Sequence, residues 1–136
     1  GGITLGGVAI DLGKISGPTY AISAREDHIA PWKATYASTQ IYKGPMRFVL
    51  SASGHIAGVI NPPVANKYCY WTNDKTPTDP DQWIDGAERH EGSWWPDWQE
   101  WISEKSDGQV PARVPGDGKL KPIEDAPGSY VKVRRG

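Results

Sequence analysis

An aspartate and a histidine, each placed just after a short apolar run, are the residues of this chain best suited to proton chemistry. Asp27 follows the run that ends at Ala24, and His55 lies between Gly54 and Gly58. In such a pair the carboxylate bonds one imidazole nitrogen and fixes the tautomer, which leaves the other nitrogen free to accept a proton from a nucleophile. A second interpretation stays open on spacing alone: Asp27 as a surface or helix-capping residue, and His55 as an ordinary loop histidine.

The elements around the two residues would bring them together. Residues 19–24 are compact and partly β-branched or aromatic, which predicts a strand, and residues 47–51 predict a second strand. Between them, a proline suited to a first helical turn and the helical spacing of apolar residues predict a helix over 31–42. A strand–helix–strand unit makes the strands parallel neighbours, so Asp27 and His55 should leave the same sheet edge and reach hydrogen-bond range.

An acid followed by a histidine is the order of the last two catalytic positions in α/β-hydrolases, whose nucleophile comes earlier in the chain. Neither a G-x-S-x-G nor a G-x-C-x-G pattern occurs here. Cys69 follows both residues and lies between Tyr68 and Tyr70 without glycine neighbours, so we interpret it as an ordinary packed or surface thiol. We therefore expect no nucleophile within 1–136 and an N-terminal portion that supplies it.

The predicted fold class is α/β, as the C-terminal portion of an α/β-hydrolase fold. About 1–63 would form the last strand–helix–strand unit with the acid and histidine loops, and about 64–136 a tryptophan-rich helix and an irregular tail. Within the second part we predict a loop over 73–83, a helix from 93 to about 104 with Ser93 as N-cap, and irregular structure over 106–129. Strand signals fade after Asn61.

Two parallel strands are too few to form a shielded sheet, because parallel sheets are normally covered on both faces. We therefore expect the chain to begin in mid-fold. One strand should present an open edge, and residues such as Phe48 and Leu50 should be incompletely covered. The isolated chain should then be poorly stable or self-associating.

Bulk properties exclude several classes of function. The formal net charge of −1 argues against a nucleic-acid binder. A single cysteine excludes an internal disulfide framework, and the three histidines with that cysteine show no metal-ligand spacing. No apolar run approaches a membrane-spanning length. We expect a cytoplasmic protein with no metal and no cofactor.

Four segments carry a resemblance to one family. Residues 26–32 and 53–63 resemble the C-terminal catalytic motifs of the polyhydroxyalkanoate synthases, which belong to the α/β-hydrolase superfamily. Residues 92–101 resemble the tryptophan-rich block of the same family, and residues 126–132 resemble its chain end, particularly in the class I enzymes. The four segments occur in the family's order and in one continuous register.

The resemblance implies an acyltransferase that polymerises (R)-3-hydroxyacyl-CoA, with 3-hydroxybutyryl-CoA as the expected substrate, into polyester with release of CoA. His55 then corresponds to the base that activates a cysteine nucleophile, and Asp27 to the aspartate that orients the histidine and assists the substrate's 3-hydroxyl. The implied partners are the N-terminal portion of the same synthase and, at full length, a second copy in a homodimer. The implied location is the surface of a cytoplasmic polymer granule, and this chain alone should be inactive.

Other residues allow several interpretations. His28 lies beside Asp27 and is a candidate for lining the same substrate pocket, or else a solvated loop residue; His90 lies among charges and should be on the surface. The tryptophans of the block favour packing against the hydrolase body, with contact to polymer or granule as a second possibility: Trp94, Trp95, Trp98 and Trp101. Two further functions stay open, an esterase or thioesterase fragment and a tryptophan-rich ligand-binding module.

Overall fold

The structure is a computed structural model that describes residues 2–134. It divides into two units, one extending to Lys105 and the other beginning at Ser106. The first unit contains a short antiparallel hairpin, β1 (Thr4–Leu5) and β2 (Val8–Ala9), and a four-stranded sheet. The strands of the sheet are, in spatial order, β3 (Thr19–Ala24), β4 (Met46–Ser51), β5 (Cys69–Thr72) and β6 (Glu88–Glu91). Its helices are α1 (Trp32–Tyr36), α2 (Ser38–Ile41), α3 (Pro80–Asp85) and α4 (Trp95–Ser103).

The predicted parallel pairing of the first two long strands is confirmed. β3 and β4 run parallel from the pair Thr19 and Met46 to the pair Ala24 and Ser51. Both strands therefore end at the same edge of the sheet. β5 and β6 add to β4 as antiparallel strands, so the sheet is mixed and the fold is a small α/β domain.

One face of the sheet carries the apolar core. Phe48 and Leu50 project from β4 and pack with Tyr36 of α1 and Trp83 of α3. All four side chains are buried, and the rings of Phe48 and Trp83 meet edge to face with centroids 5.0 Å apart. The expectation that Phe48 and Leu50 would be incompletely covered is therefore wrong, because α1 and α3 shield them.

The opposite face is covered by α4. Tyr20 of β3 and Arg47 of β4 are register partners, so they share this face. Both bond Asp97 of α4: the Tyr20 hydroxyl donates to Oδ2 at 2.8 Å, and the Arg47 Nε–H donates to the same atom at 2.9 Å. Trp101 of the same helix packs edge to face on Tyr20, with ring centroids 5.4 Å apart. Helices thus shield both faces of the sheet.

Several predicted elements differ from the structure. The helix expected over 31–42 is two short helices, α1 and α2, which meet at Ala37. The loop expected over 73–83 contains the start of α3, whose first turn is capped by the Asp79 side chain. Strands continue after Asn61, since β5 and β6 lie there.

The tryptophan-rich helix and the tail follow the sequence predictions. α4 covers most of the predicted helix, and the Ser93 hydroxyl accepts the Trp95 N–H at 3.1 Å at its start. The second unit is irregular over 106–128, with one 3-10 turn at Ser129–Lys132 among its described residues. Within residues 2–134 no helix is long and apolar enough to cross a membrane.

Candidate active site

Backbone hydrogen bonds continue past the ends of β3 and β4 and hold the two following loops together. The Arg25 N–H donates to the Ser51 carbonyl at 2.8 Å, and the Glu26 N–H donates to the Ser53 carbonyl at 3.0 Å. Ser53 adopts a left-handed conformation with φ 71°. The loops that carry the predicted acid and the predicted histidine are thus joined side by side before either residue is reached.

The structure brings Asp27 and His55 into direct contact. The Nδ1 atom of His55 lies 2.7 Å from Oδ2 of Asp27, a short distance typical of a charge-assisted hydrogen bond. The side chain of Asp27 is 8% exposed, whereas that of His55 is 50% exposed. Because Nδ1 faces the carboxylate, Nε2 is the ring nitrogen directed away from Asp27.

The second oxygen of Asp27 is held by the backbone. Oδ1 accepts the N–H of Ile29 at 2.8 Å and the N–H of Ala30 at 2.9 Å. The Ala30 N–H and then His55 lower the pKa of Asp27 from its ordinary 3.8 to about 2. Asp27 is therefore a fixed carboxylate at neutral pH, bonded to the backbone through one oxygen and to the imidazole through the other.

His55 belongs to a compact series of turns over residues 54–60, which we call the His55 turn. The Gly58 N–H donates to the Gly54 carbonyl at 3.1 Å, and the Ile60 N–H donates to the Ile56 carbonyl at 2.8 Å. A β-carbon on Gly58 would lie 2.3 Å from the Ala52 carbonyl oxygen, closer than atoms can pack. Glycine at this position therefore lets the turn lie directly against the end of β4.

Two tryptophans contact the other side of the His55 turn. The indole N–H groups of Trp94 and Trp95 both donate to the Val59 carbonyl, at 3.0 and 3.1 Å. Val59, Ile60 and both indoles line an apolar groove of about 700 Å³, together with Trp98. Sequence reasoning missed this contact, because nothing in the spacing of the tryptophans indicates their acceptor.

The remaining candidates lie outside the pair. Cys69 is a buried free thiol on β5, and its side chain lies beside that of Arg89. His28 is an exposed loop residue, and none of the described hydrogen bonds joins it to Asp27 or His55. His90, predicted to be on the surface, is instead half-buried: its ring stacks on Tyr70 with centroids 4.8 Å apart. Across residues 2–134 no group of three or more His, Cys, Asp or Glu side chains is placed to hold a metal ion.

Comparison with known proteins indicates the family that this chain resembles. No model of a known protein family matches the chain. The poly(3-hydroxyalkanoate) polymerase subunit PhaC of Cupriavidus necator is 52% identical over 98% of the chain, and that of Rhizobium meliloti is 46% identical over 98%. The poly(3-hydroxyalkanoate) polymerase of Methylorubrum extorquens is 40% identical over the same share.

The chain is homologous to part of the poly(3-hydroxyalkanoate) polymerases. It spans 22–23% of the length of these three relatives. The resemblance drawn from the four sequence segments is therefore confirmed at the level of the family. The polymerases are much longer than this chain, so the activity of a whole polymerase does not pass to these residues by similarity alone.

Proposed function

We propose that this chain forms the acid and histidine part of a poly(3-hydroxyalkanoate) polymerase. The polymerase would transfer (R)-3-hydroxyacyl groups, with 3-hydroxybutyryl the expected unit, from CoA to a growing polyester. The observation that carries the proposal is the 2.7 Å contact between Asp27 and His55 at the common edge of two parallel strands. Homology of nearly the whole chain to the polymerases supports the choice of reaction.

In the proposed mechanism His55 is the base and Asp27 its orienting partner. Nε2 of His55 takes the proton of a cysteine thiol supplied by another part of the polymerase, and the imidazolium is stabilised by the Asp27 carboxylate. The thiolate attacks the thioester carbonyl, the bond from carbonyl carbon to CoA sulfur breaks, and CoA leaves with the proton from Nε2. A 3-hydroxyl group then attacks the enzyme thioester, with His55 accepting its proton and returning it to the cysteine sulfur.

Cys69 has no part in this mechanism. The thiol is buried within the sheet next to Arg89, whereas the imidazole of His55 is half exposed at the strand ends. The nucleophile and its oxyanion hole are therefore assigned to the polymerase portion that complements this chain in an α/β-hydrolase fold. We accordingly propose that this chain alone releases no CoA from 3-hydroxybutyryl-CoA.

The place of action follows from the same proposal. A polymerase whose product is an insoluble polyester would work at the surface of a cytoplasmic polymer granule, as a homodimer of the complete enzyme. Trp94 and Trp95 have their indole N–H groups bonded within the protein, which favours packing over the tryptophan-rich ligand-binding module considered from the sequence.

The test is an exchange of residues 2–134 into the Cupriavidus necator polymerase in place of its homologous segment. CoA release from 3-hydroxybutyryl-CoA is measured for the exchanged enzyme, for His55→Ala and for the matched control His28→Ala. General-base catalysis contributes roughly 10²–10⁴-fold, so His55→Ala should lose about that much activity, while His28→Ala keeps it within about twofold.

Two outcomes would contradict the proposal. Retention of activity in His55→Ala would remove the histidine from the mechanism. Release of CoA with free 3-hydroxybutyrate and no polyester would identify a thioesterase, in which water rather than a hydroxyl group resolves the thioester.

A further inference from the structure

The tryptophan-rich segment contacts the His55 turn at one atom, the carbonyl oxygen of Val59. Two indole N–H groups from adjacent residues, Trp94 and Trp95, donate to this oxygen at 3.0 and 3.1 Å. A carbonyl oxygen has two lone pairs, so both donors can be accommodated. The acceptor lies four residues beyond His55, inside the turn that carries it.

The tryptophans are themselves fixed to the sheet. They stand at the start of α4, which the ion pair of Asp97 with Arg47 and the hydrogen bond from Tyr20 hold against β3 and β4. The Trp94 ring also packs on Tyr20, with centroids 6.1 Å apart. The strands that end at the candidate site are thus connected back to the His55 turn through the helix on their far face.

The His55 turn has few supports of its own. Its internal hydrogen bonds are all of the turn type, its His55 side chain bonds Asp27 in the neighbouring loop, and the residues His55, Ile56 and Ala57 are exposed. On the strand side it is located by the close approach of Gly58 to the Ala52 carbonyl oxygen. On the opposite side, among the described residues, the two indole donors to Val59 are the hydrogen bonds that join it to α4.

We propose that Trp94 and Trp95 are positioning residues for His55, acting through their paired hydrogen bonds to Val59. Loss of both donors would release the Val59 carbonyl and let the turn rotate away from β4. The imidazole would then sample orientations in which Nδ1 no longer meets the Asp27 carboxylate. A displacement of about 1 Å can cost on the order of 10²-fold in rate, so this restraint matters to the chemistry proposed above. Only this effect on rate rests on the proposed function; the restraint on His55 does not.

The test reads the tautomer of His55 in this chain by long-range proton–nitrogen NMR correlations. Asp27 accepts a hydrogen bond from Nδ1–H, so the unsubstituted chain should hold its proton on Nδ1 whenever the ring is neutral. Asp27→Asn defines the signal of the uncoupled ring. Trp94→Phe combined with Trp95→Phe should lose the Nδ1–H preference and move the His55 nitrogen shifts at least halfway to the Asp27→Asn values.

Two further variants separate hydrogen bonding from packing. Trp98→Phe removes an indole that lines the same groove and does not donate to Val59 in the described structure, so it should leave the His55 signals unchanged. Replacement of Trp94 and Trp95 by 3-benzothienylalanine exchanges each N–H for sulfur and keeps the two-ring shape. This variant should move the His55 signals as the phenylalanines do, and it decides the matter if the double phenylalanine variant fails to fold.

An unchanged Nδ1–H preference in the benzothienyl variant would overturn the proposal, as would an equal shift in Trp98→Phe. The result is independent of activity. If His55→Ala left CoA release intact in the exchanged polymerase, the proposed function would fail while the NMR result stood. If the NMR result failed, the polymerase assignment would be unaffected.

Discussion

Asp27 and Asp97 both have lowered pKa values, but the two carboxylates have different roles in the structure. Burial alone would raise the pKa of Asp97, but the hydrogen bonds from Arg47 and Tyr20 outweigh it. For Asp27 the Ala30 N–H has the largest lowering effect, followed by His55. Asp97 thus joins a helix to a sheet, whereas Asp27 joins two loops at the ends of strands.

The two carboxylates differ in the side chains that they bind, not in their own chemistry. Arg47 and Tyr20 project from the sheet and direct their polar groups at Asp97, so the carboxylate of Asp97 is enclosed by its partners. His55 directs one nitrogen at Asp27 and keeps a second on a half-exposed ring. A lowered pKa therefore does not by itself distinguish a structural ion pair from a candidate reactive site; the second, exposed ring nitrogen of His55 is what makes the Asp27 pair the candidate.

The largest expected effect is a loss of activity, and it distinguishes Asp27 from Asp97. Asp27→Asn in the exchanged polymerase should lower the rate of CoA release on the order of 10³-fold, because an amide no longer holds the imidazole in the tautomer that accepts a proton at Nε2. Its free energy of unfolding should fall by less than that of Asp97→Ala, because the amide oxygen can still accept the Ile29 and Ala30 N–H groups. Steady-state rates and urea denaturation provide the measurement, and a variant that loses stability but keeps its rate would reverse the comparison.

The second prediction concerns stability. Asp97→Ala should lower the free energy of unfolding by roughly 2 kcal/mol, less than for a fully buried pair because Arg47 is 32% exposed on its side chain. Lys33→Ala, which breaks the exposed pair of Lys33 with Asp81, is the matched control and should cost less than about 1 kcal/mol. Equal losses in the two variants would show that Asp97 is no more than a surface ion pair.

The third prediction follows the titration of Asp27. Its carboxyl carbon should titrate by NMR with a midpoint near 2, and the midpoint should rise in His55→Ala while staying below the ordinary 3.8, since the Ala30 N–H remains. Because the folded-state pKa is depressed, the stabilising contribution of Asp27 is complete above about pH 4 and is lost as pH falls towards 2. A midpoint unaffected by His55→Ala would mean that the imidazole contact does not hold in solution.

The smallest expected effect belongs to Cys69. This residue is part of neither the Asp27–His55 pair nor the contacts of Asp97 with the sheet. Cys69→Ala removes a buried sulfur from β5 and should cost about 1 kcal/mol of stability. The rate of CoA release in the exchanged polymerase should stay within about twofold. A loss of activity comparable to that of Asp27→Asn would bring this thiol into the chemistry and place the nucleophile inside the chain.

The site was more predictable than the sheet around it. The first strand was predicted with the bounds it has in the structure and the second to within one residue, because both combine apolar and β-branched residues with clear breakers. Since parallel strands end at one edge, those strands predicted the contact of the acid with the histidine, although spacing alone left open a surface or capping Asp27 and an ordinary loop His55. The indole donors to Val59 depend on tertiary packing, which no local pattern encodes.

The missed elements have specific physical reasons. β6 reads Glu88-Arg89-His90-Glu91, and an edge strand can be this polar because only one of its sides pairs. α3 lies in a stretch rich in Asp, Thr and Pro that resembles a loop. Asp79 followed by Pro80 is nevertheless a helix-start signal that could have revealed it. The helix over 31–42 divides at Ala37, where no Gly or Pro marks the break.

The two hydrogen bonds that extend the β3–β4 pairing, from Arg25 to Ser51 and from Glu26 to Ser53, bear on how such a sequence can change in length. These hydrogen bonds fix the number of residues between each strand end and the acid or the histidine. An insertion or deletion at 25–27 or 52–55 would therefore move the acid and the histidine out of contact. The stretch from Lys43 to Pro45 between α2 and β4 is held in the same way, because the Lys43 and Gly44 N–H groups donate to the Ile15 carbonyl and the Thr19 N–H donates to the Pro45 carbonyl. Length variation compatible with the pair should therefore spare the connections at both ends of β3 and β4, which keep a fixed number of residues.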